Sequence, residues 1–290
     1  MKQKMKTDWH VKHEDFGSVL DRYTRYLMSR GFSESSIERY AIILKAFLTF
    51  AGVSHPDLHV GLDFRDHLMD AKQAKSTVNN SCYAIANFYK MHGETFEFPI
   101  LRVSNTIPYF FAEDDVHRIF DAASRNIKHL AMLQTLFYGC LRATEMCRLE
   151  DKDIDLKDLT IRVRHGKGDK EGIVLITPQC AKTLHKYLEV RPDLCIDGHS
   201  YLFFTDYGRP WDRVALHRMF ALTKKRAKVD RPGGIHVFGR HTPATIMIAH
   251  GADVRVVQTI LRHNDIKTTL RYTHVSDSTK RTMYDKFLLV

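Results

Sequence analysis

The residues with the clearest capacity for chemistry are an imidazole and a phenol near the end of the chain. His263 precedes Tyr272 by nine positions, and Thr268, Thr269 and Arg271 lie between them. A phenol, whose pKa is ordinarily about 10, becomes a nucleophile when it loses its proton, and an imidazole can move a proton near neutral pH. Most single tyrosines are structural, so this pair predicts a reaction only if a binding site for a substrate accompanies it.

The string LRHNDIKTTLRYTHV, residues 261–275, resembles the end of the tyrosine recombinase (phage integrase) family. In that family the tyrosine of this string attacks a DNA phosphate. The resemblance therefore implies that Tyr272 is the nucleophile and that His263 binds the phosphate or assists proton movement. It also requires two arginines and a lysine upstream, in order, to hold the phosphate. Arg262 departs from the family, which often has glycine just before this histidine.

The first arginine motif of the family, G-x-R-x-x-E-x-x-x-L, resembles residues 138–149, YGCLRATEMCRL. By this resemblance Arg142 is the first phosphate clamp. Glu145 follows one helical turn later, and its implied role is to hold that arginine. A single arginine in a helix is usually a surface residue. Because Arg142 lies within this string, we interpret it as a functional residue.

The family places a lysine on a turn between two strands, in the pattern Gly-Lys-Gly-x-Lys, as general acid to the leaving 5′ oxygen. Residues 165–170, HGKGDK, match this turn, and Lys167 matches that lysine. A GKG turn alone is weak evidence. Its position after the Arg142 motif, between two alternating apolar and polar runs, strengthens the assignment.

The second arginine motif of the family, H-x-x-R-H, is matched with one irregularity. Arg240 corresponds to the arginine, and its distance of 23 residues from His263 fits the family. His236 lies four residues before Arg240 instead of three, and Val237 occupies the expected histidine position. Two alternatives stay open: His236 reaches the site through a one-residue bulge, or the site lacks this imidazole.

Cleavage of a phosphodiester places negative charge on non-bridging oxygens, which planar guanidinium groups can bind in pairs. The resemblance gives that role to Arg142 and Arg240 and implies a covalent 3′-phosphotyrosine intermediate. Because this intermediate conserves the bond energy, rejoining needs no ATP. The sequence has no Walker motif and no acidic cluster that suggests a divalent-metal site, so we expect neither cofactor nor metal.

Composition narrows the class of partner. Lys and Arg total 44 against 34 Asp and Glu, which gives a formal net charge of +10. Such an excess favours nucleic acid or an anionic membrane surface. No apolar run approaches the roughly 18 residues that span a bilayer, and the basic start lacks the apolar stretch of a signal peptide. Five scattered cysteines without a CxxC pair indicate reduced thiols. We therefore expect a cytoplasmic protein that acts on DNA, without a membrane partner.

Apolar residues at helical spacing predict four helices in the first part of the chain. Two fall within 16–50, and two more are expected near Leu62–Ala71 and Ser76–His92. Glycine and proline then interrupt the pattern. Further on, a buried helix is predicted at Lys128–Tyr138. Alternating residues at 159–164 and 172–177 predict two strands of a hairpin, and the chain from Pro178 onward is expected to be mainly helical.

These patterns predict a mainly α protein with two domains. An N-terminal four-helix core-binding bundle would span 1–100, a linker 101–108, and a C-terminal α+β catalytic domain with a small antiparallel sheet 109–290. The core-binding assignment comes from the resemblance alone, because the N-terminal helices fit that domain in size and position but carry no specific motif.

The resemblance implies an integrase-like, site-specific recombinase, whose role as integrase, resolvase or mobile-element recombinase stays open. It would act as a homotetramer on paired double-stranded DNA sites, with accessory DNA-bending proteins as further candidate partners. The apolar tail, 282–290, would either dock on a neighbouring protomer or pack on its own domain. Two alternatives remain: a type IB topoisomerase-like strand transferase, and an architectural DNA-binding protein whose catalytic site has decayed. The displaced His236 is the only support for the decayed site.

Overall fold

The computed structural model describes residues 15–103, 108–164, 171–273 and 284–285. These residues are mainly α-helical and include a small three-stranded antiparallel sheet, which confirms the predicted mainly helical class with such a sheet. The chain divides into two compact units, Met1–Ser104 and Asn105–Val290. The turn that carries Lys167 and most of the tail 282–290 lie outside the described residues.

The described part of the first unit folds into helices whose apolar stripes face one another. They are α1 Phe16–Ser29, α2 Glu34–Ala51, α3 Leu58–Asp70 and α4 Lys75–Met91. In α1 the residues Val19, Tyr23 and Leu27, each four positions apart, are fully buried, and they join Phe47 of α2 and Phe88 of α4 in one core. Each large apolar side chain buried in this way stabilises the fold by about 1.5–3 kcal/mol.

Helix α3 begins at Leu58, four residues before its predicted start near Leu62. This added turn contains Gly61, a residue that lowers helix propensity. The structure gives Gly61 a packing role instead: a Cβ atom there would lie 3.0 Å from Cζ of Phe98 and 3.4 Å from Cε2 of Tyr89. Close approach of aromatic rings to the helix backbone outweighs the propensity cost.

The second unit surrounds a core built on one helix whose central residues are all buried. Before the sheet lie α5 Glu113–Ala123, α6 Ile127–Tyr138 and the short α7 Ala143–Cys147. After it lie α8 Pro178–Val190, α9 Arg213–Arg226, a π-helical segment Val237–His241, α10 Thr242–Ala249, α11 Val254–Ile260 and α12 Ile266–Leu270. Residues 131–137 of α6 are all buried, so this helix is the centre of the unit.

The sheet consists of β1 Ile154–Asp155, β2 Thr160–Val163 and β3 Gly172–Leu175, in that spatial order and antiparallel. Its inner face carries Ile161, Val163 and Val174, which are buried, whereas Ile173 and Leu175 point outward and are exposed. Strand β1 was not predicted, because two residues are too few to show an alternating pattern. The predicted strands both end earlier than expected, at Val163 and Leu175.

The segment between α8 and α9, residues 191–212, departs from the expectation that the chain is helical from Pro178 onward. It is formed of turns and isolated β-bridges, such as Phe204 with Pro210. In the described ranges, none of the helices combines the length and apolar character needed to cross a bilayer.

Candidate active site

A cleft of about 810 Å³ in the second unit brings together the predicted site residues that the structure describes. Its walls come from α7, the start of β3, the π-helical segment, the end of α11 and α12. The lining side chains that matter for chemistry are Arg142, His236, Arg240, His241, His263 and Tyr272. Lys167 belongs to the turn at 165–170, outside the described residues, so its place in this cleft stays a prediction.

Arg142 stands at the N-cap of α7 and is fixed by Glu145, as the resemblance implies. The backbone N–H of Arg142 donates to Oε2 of Glu145 at 2.8 Å, and its Nη1 donates to Oε1 at 2.6 Å. The Glu145 side chain is 2% exposed and that of Arg142 is 23% exposed. The buried carboxylate therefore anchors the arginine and leaves part of the guanidinium open to the cleft.

The turn before Arg142 differs from the family pattern by one residue. The pattern G-x-R places glycine at position 140, but this chain has Gly139 one position earlier and Cys140 at the glycine position. Cys140 has a φ of 47°, in the left-handed region that glycine adopts without strain. The left-handed backbone at position 140 therefore suits the glycine of the family pattern, although this chain has cysteine there.

Arg240 is a buried cation held by backbone carbonyls from two segments. It is 2% exposed, and its Nη1 donates to the carbonyl of Cys140 at 2.7 Å while its Nη2 donates to that of Leu261. Burial, and then repulsion from Arg142, lowers the pKa of Arg240 to about 10, so it stays charged at neutral pH. A guanidinium has five N–H groups, and these two bonds leave others for an anion.

The π-helical segment explains how His236 reaches the cleft despite its irregular spacing. The N–H of Thr242 donates to the carbonyl of Val237, five residues earlier, where an α-helix would pair residues four apart. A π-helical turn of this kind accommodates one extra residue within a helix. His236 lines the cleft, and its ring centroid lies 4.9 Å from that of His241. The structure favours the bulge over a site without this imidazole.

The end of α11 sets the position of His263. The N–H of Arg262 donates to the carbonyl of Thr259 at 3.0 Å, and the N–H of His263 donates to that of Gln258 at 3.1 Å. These paired bonds form a Schellman motif, whose left-handed position is Arg262, with a φ of 53°. Glycine adopts such a φ without strain, which explains why the family often has glycine at this position.

Thr269 contacts both the imidazole of His263 and the backbone of Tyr272. Its Oγ1 lies 2.8 Å from Nδ1 of His263, and its carbonyl accepts from the N–H of Tyr272 at 3.0 Å. Thr269 is fully buried, whereas His263 is partly buried. The sequence drew attention to the threonine pair as part of the motif, but the spacing alone did not show which of the two makes these bonds.

Burial and neighbouring cations both lower the pKa of the histidines, whereas they act in opposite directions on the pKa of Tyr272. Burial is the largest effect on the pKa of His263 and of His241, and together with nearby cations it lowers both to about 4. Burial also lowers the pKa of His236. For Tyr272, which is 8% exposed, burial raises the pKa while Arg240 and Arg271 oppose the rise. Neutral imidazoles therefore face a neutral phenol in a pocket whose cations are arginines.

Such a pocket can bind a phosphate and present a phenol to it. The guanidinium groups of Arg142 and Arg240 supply planar donors for non-bridging oxygens, and the neutral imidazoles can donate without adding charge. Within the described ranges, no three His, Cys, Asp or Glu side chains converge as ligands of a metal ion. His241 and Arg262 also belong to the cleft, although no role was predicted for either residue.

The chain is similar to known proteins over most of its length. The model of the phage integrase family matches residues 109–279. The tyrosine recombinase XerA of Thermococcus kodakarensis is 28% identical over 279 residues, which cover 94% of this chain and 96% of the relative. Staphylococcus aureus XerD is 28% identical over 291 residues, covering 93% and 98% respectively. A crystal structure of XerA recombinase is 30% identical, with a TM-score of 0.58, over 94% of this chain and 99% of that one.

Proposed function

Because the chain belongs to the phage integrase family of tyrosine recombinases, we propose that it is a site-specific DNA recombinase that cleaves and rejoins DNA through a 3′-phosphotyrosine at Tyr272. The observation that carries this proposal is the cleft in which Arg142, Arg240, His263 and Tyr272 meet. Apart from Lys167, these are the groups that the resemblance requires, and they come from four separate segments of the chain.

In the proposed reaction, the phenolic oxygen of Tyr272 attacks the phosphorus and gives up its proton, for which His263 is the proposed acceptor. The bond from phosphorus to the 5′ oxygen breaks, and the leaving 5′ oxygen takes a proton, for which Lys167 is the proposed donor. Arg142 and Arg240 bind the non-bridging oxygens, where negative charge accumulates. Attack by a 5′ hydroxyl of another strand reverses the step and releases the tyrosine, so no ATP is consumed and no metal is required.

The resting state of Tyr272 fits a nucleophile that is activated only when DNA binds. Burial holds its pKa above the ordinary value, which keeps the phenol protonated near neutral pH. Ionisation during attack is assisted by the Arg240 and Arg271 charges. His263, whose Nδ1 is engaged with Thr269, is placed to bind the phosphate or take part in proton transfer, and His236 would be a second donor.

We propose double-stranded DNA recombination sites as the substrate and a homotetramer as the active assembly on them, in the cytoplasm. The net charge of +10 supports a polyanionic partner. A structure of XerH bound to a difH substrate shares the fold, with a TM-score of 0.74 and 17% identity over 98% of this chain and 100% of that one. The helices α1–α4 would form the core-binding domain, joined by a linker to the catalytic domain.

The alternatives are less well supported by the cleft. A decayed site was suggested only by the position of His236, and the π-helical turn provides a path for this residue to the cleft. A type IB topoisomerase-like activity would use the same chemistry without a specific site. Relaxation of supercoiled plasmid that lacks the site would favour it.

The decisive test is covalent trapping. A site selected from randomised duplex DNA with the purified protein would be rebuilt as a nicked suicide substrate, on which cleavage cannot be reversed. We expect a protease-sensitive adduct from the wild-type protein and none from Tyr272→Phe, which keeps the ring but lacks the nucleophile. Tyr207→Phe, at an exposed loop tyrosine, is the matched control. Specific DNA binding without any adduct would contradict the proposed enzyme and favour an architectural role.

A further inference from the structure

Arg262 occupies its position at a free-energy cost. Its φ of 53° lies in the left-handed region, where a side chain with a Cβ is strained and glycine is not. Burial lowers the pKa of its guanidinium, which means that the charged form is poorly solvated. Its Nη1 is buried and has no hydrogen-bond partner among the described residues. Costs of this kind persist where the surrounding structure or the function requires them.

What Arg262 gains is a contact with Glu145. Its Nη2 donates to Oε2 of Glu145 at 2.5 Å, between side chains that are 17% and 2% exposed. The same Oε2 accepts the backbone N–H of Arg142, and Oε1 accepts Nη1 of Arg142. The single buried carboxylate therefore binds both arginines at once, one from the start of α7 and the other from the end of α11.

The path of Arg262 to this carboxylate passes over Gly172, the first residue of β3. A Cβ atom on Gly172 would lie 2.8 Å from Cδ of Arg262. Even the smallest side chain at 172 would therefore displace the arginine. Only Glu171 separates Gly172 in the chain from the turn at 165–170, which is proposed to carry Lys167.

We propose that Arg262 is a positioning residue of the phosphate site, which holds the Glu145 carboxylate in the orientation that directs Arg142 into the cleft. The inference rests on the proposed function, because Arg142 matters only if a phosphate is bound there. Arg262 acts through Glu145 and Arg142, so it is not itself one of the groups that touch the reacting phosphate.

The charges around Glu145 support this role. Burial raises the pKa of Glu145, and the charge of Arg262 is the largest opposing influence, followed by the backbone N–H and charge of Arg142; the net result is a lowered pKa. The charged groups that face this carboxylate are Arg142 from its own turn, Arg262 from the end of α11 and Arg240 from the π-helical segment. Loss of Arg262 removes the strongest of them, so the pKa of Glu145 should rise.

The test uses Arg262→Gly, which removes the side chain and also relieves the backbone strain, so that folding is not the limiting factor. Asp197→Gly is the matched control for the backbone change: Asp197 is an exposed residue of the same unit with a φ of 49°, and it carries no positive charge that could bind DNA. Two quantities are measured. The first is the pKa of Glu145 by carbon-13 NMR of its carboxylate, assigned with Glu145→Gln. The second is the single-turnover rate of adduct formation on the suicide substrate, as a function of pH.

We expect Arg262→Gly to raise the pKa of Glu145 and to slow adduct formation by about tenfold or more, as for the loss of a charge-assisted hydrogen bond. The acid limb of the pH–rate profile should move to higher pH, because Glu145 becomes protonated earlier. Asp197→Gly should change neither quantity. Gly172→Ala should slow the reaction in the same direction, and should add nothing when combined with Arg262→Gly, because both act through one contact.

An unchanged Glu145 pKa, or an unchanged rate and pH profile in a folded Arg262→Gly protein, would overturn the inference. Additive effects of Gly172→Ala and Arg262→Gly would do the same, since they would show independent causes. If the wild-type protein forms no adduct at all, the proposed function fails. The carboxylate titration, which needs no catalysis, then decides alone whether Arg262 holds Glu145.

Discussion

Arg240 has two roles that its buried position makes inseparable. Its guanidinium is a proposed phosphate clamp, and it also binds the carbonyls of Cys140 and Leu261. Cys140 itself is in the left-handed region, and Leu261 directly precedes another residue in that region, Arg262. Removing the guanidinium would leave two buried carbonyls unpaired, at about 1–3 kcal/mol each. A loss of activity in an Arg240 variant would therefore report folding as well as phosphate binding.

At His236 the proposal can be tested without this ambiguity. His236→Ala should slow single-turnover adduct formation by about a hundredfold, the lower end of what a positioned acid–base or donor group contributes. The rate should be measured at saturating protein, so that weaker DNA binding does not affect it. His250→Ala, which removes an exposed imidazole bonded to Glu113, is the control. An unchanged rate in His236→Ala would exclude this residue from the chemistry.

The residue types of the site were predictable from the sequence, whereas the contacts that position them were not. The motifs indicated Arg142, Arg240, His263 and Tyr272, and the structure places all four in one cleft. The link from Thr269 to both His263 and Tyr272 depends on how α12 packs, which residue counting does not reveal. The role of Arg262 was hidden for a similar reason, because its partner Glu145 lies far away in the chain.

At the scale of elements, the π-helical segment is the feature that most constrains the site. Phe238 within it is fully buried among the rings of Phe111, Phe120, Phe137 and Phe220, with centroid distances from 5.1 to 6.2 Å. The segment also packs directly on α6. This anchoring holds His236 and Arg240, on either side of Phe238, in a fixed relation to the cleft.

Gly239 permits that close packing, so Gly239→Ala should be destabilising. A Cβ atom there would lie 2.6 Å from Cγ of Leu136, too close for the two elements to keep their spacing. We expect the free energy of unfolding of the second unit to fall by about 1–3 kcal/mol, as for other overpacked cores. Urea unfolding followed by the fluorescence of Trp211, in a Trp9→Phe background, would measure it.

Gly234→Ala is the matched control for this prediction, since a Cβ atom there would meet only His217 at 3.5 Å, an ordinary contact. A second check combines Gly239→Ala with Leu136→Ala. If the steric conflict is the cause, the double variant should be less destabilised than the sum of the two single variants. Equal destabilisation by Gly234→Ala and Gly239→Ala would contradict the packing explanation.

Among the elements, those with a strong period were predictable and the short or irregular ones were not. The buried helix α6 and the strands β2 and β3 were expected near their observed positions. Strand β1 and α12 contain two and five residues, too few to show a period. A one-residue bulge after His236 was one of the two alternatives that the sequence left open. An inserted residue can be absorbed within a helix, or it can change the position of every residue after it.

At the scale of the whole molecule, the proposed site makes stability depend on pH. His241 and His263 are partly buried, with pKa values of about 4 against 6.5 for an ordinary histidine. Between those values the unfolded chain binds more protons than the folded one, so stability should rise with pH. Conversely, it should fall as the pH drops through 6.5 toward 4, and these groups should add no further loss below that range.

The melting temperature measured between pH 5 and pH 7.5 would test this, since carboxylates contribute mainly at lower pH. His241→Gln, which cannot be protonated, should flatten the slope between pH 5 and 6.5. His117→Gln, at an exposed histidine on α5, should leave the slope unchanged. A slope that His241→Gln does not alter would mean that His241 is as easily protonated in the folded protein as in the unfolded one.

The π-helical turn also bears on how sites of this kind are found in other genomes. A pattern search that fixes the number of positions between histidine and arginine would discard this chain, although both side chains line the same cleft. Such a site requires the histidine side chain to point in one direction about the helix axis. A turn whose hydrogen bonds span five residues can keep that direction when one residue is inserted. Searches that tolerate one added residue between histidine and arginine would recover chains that strict spacing classifies as inactive.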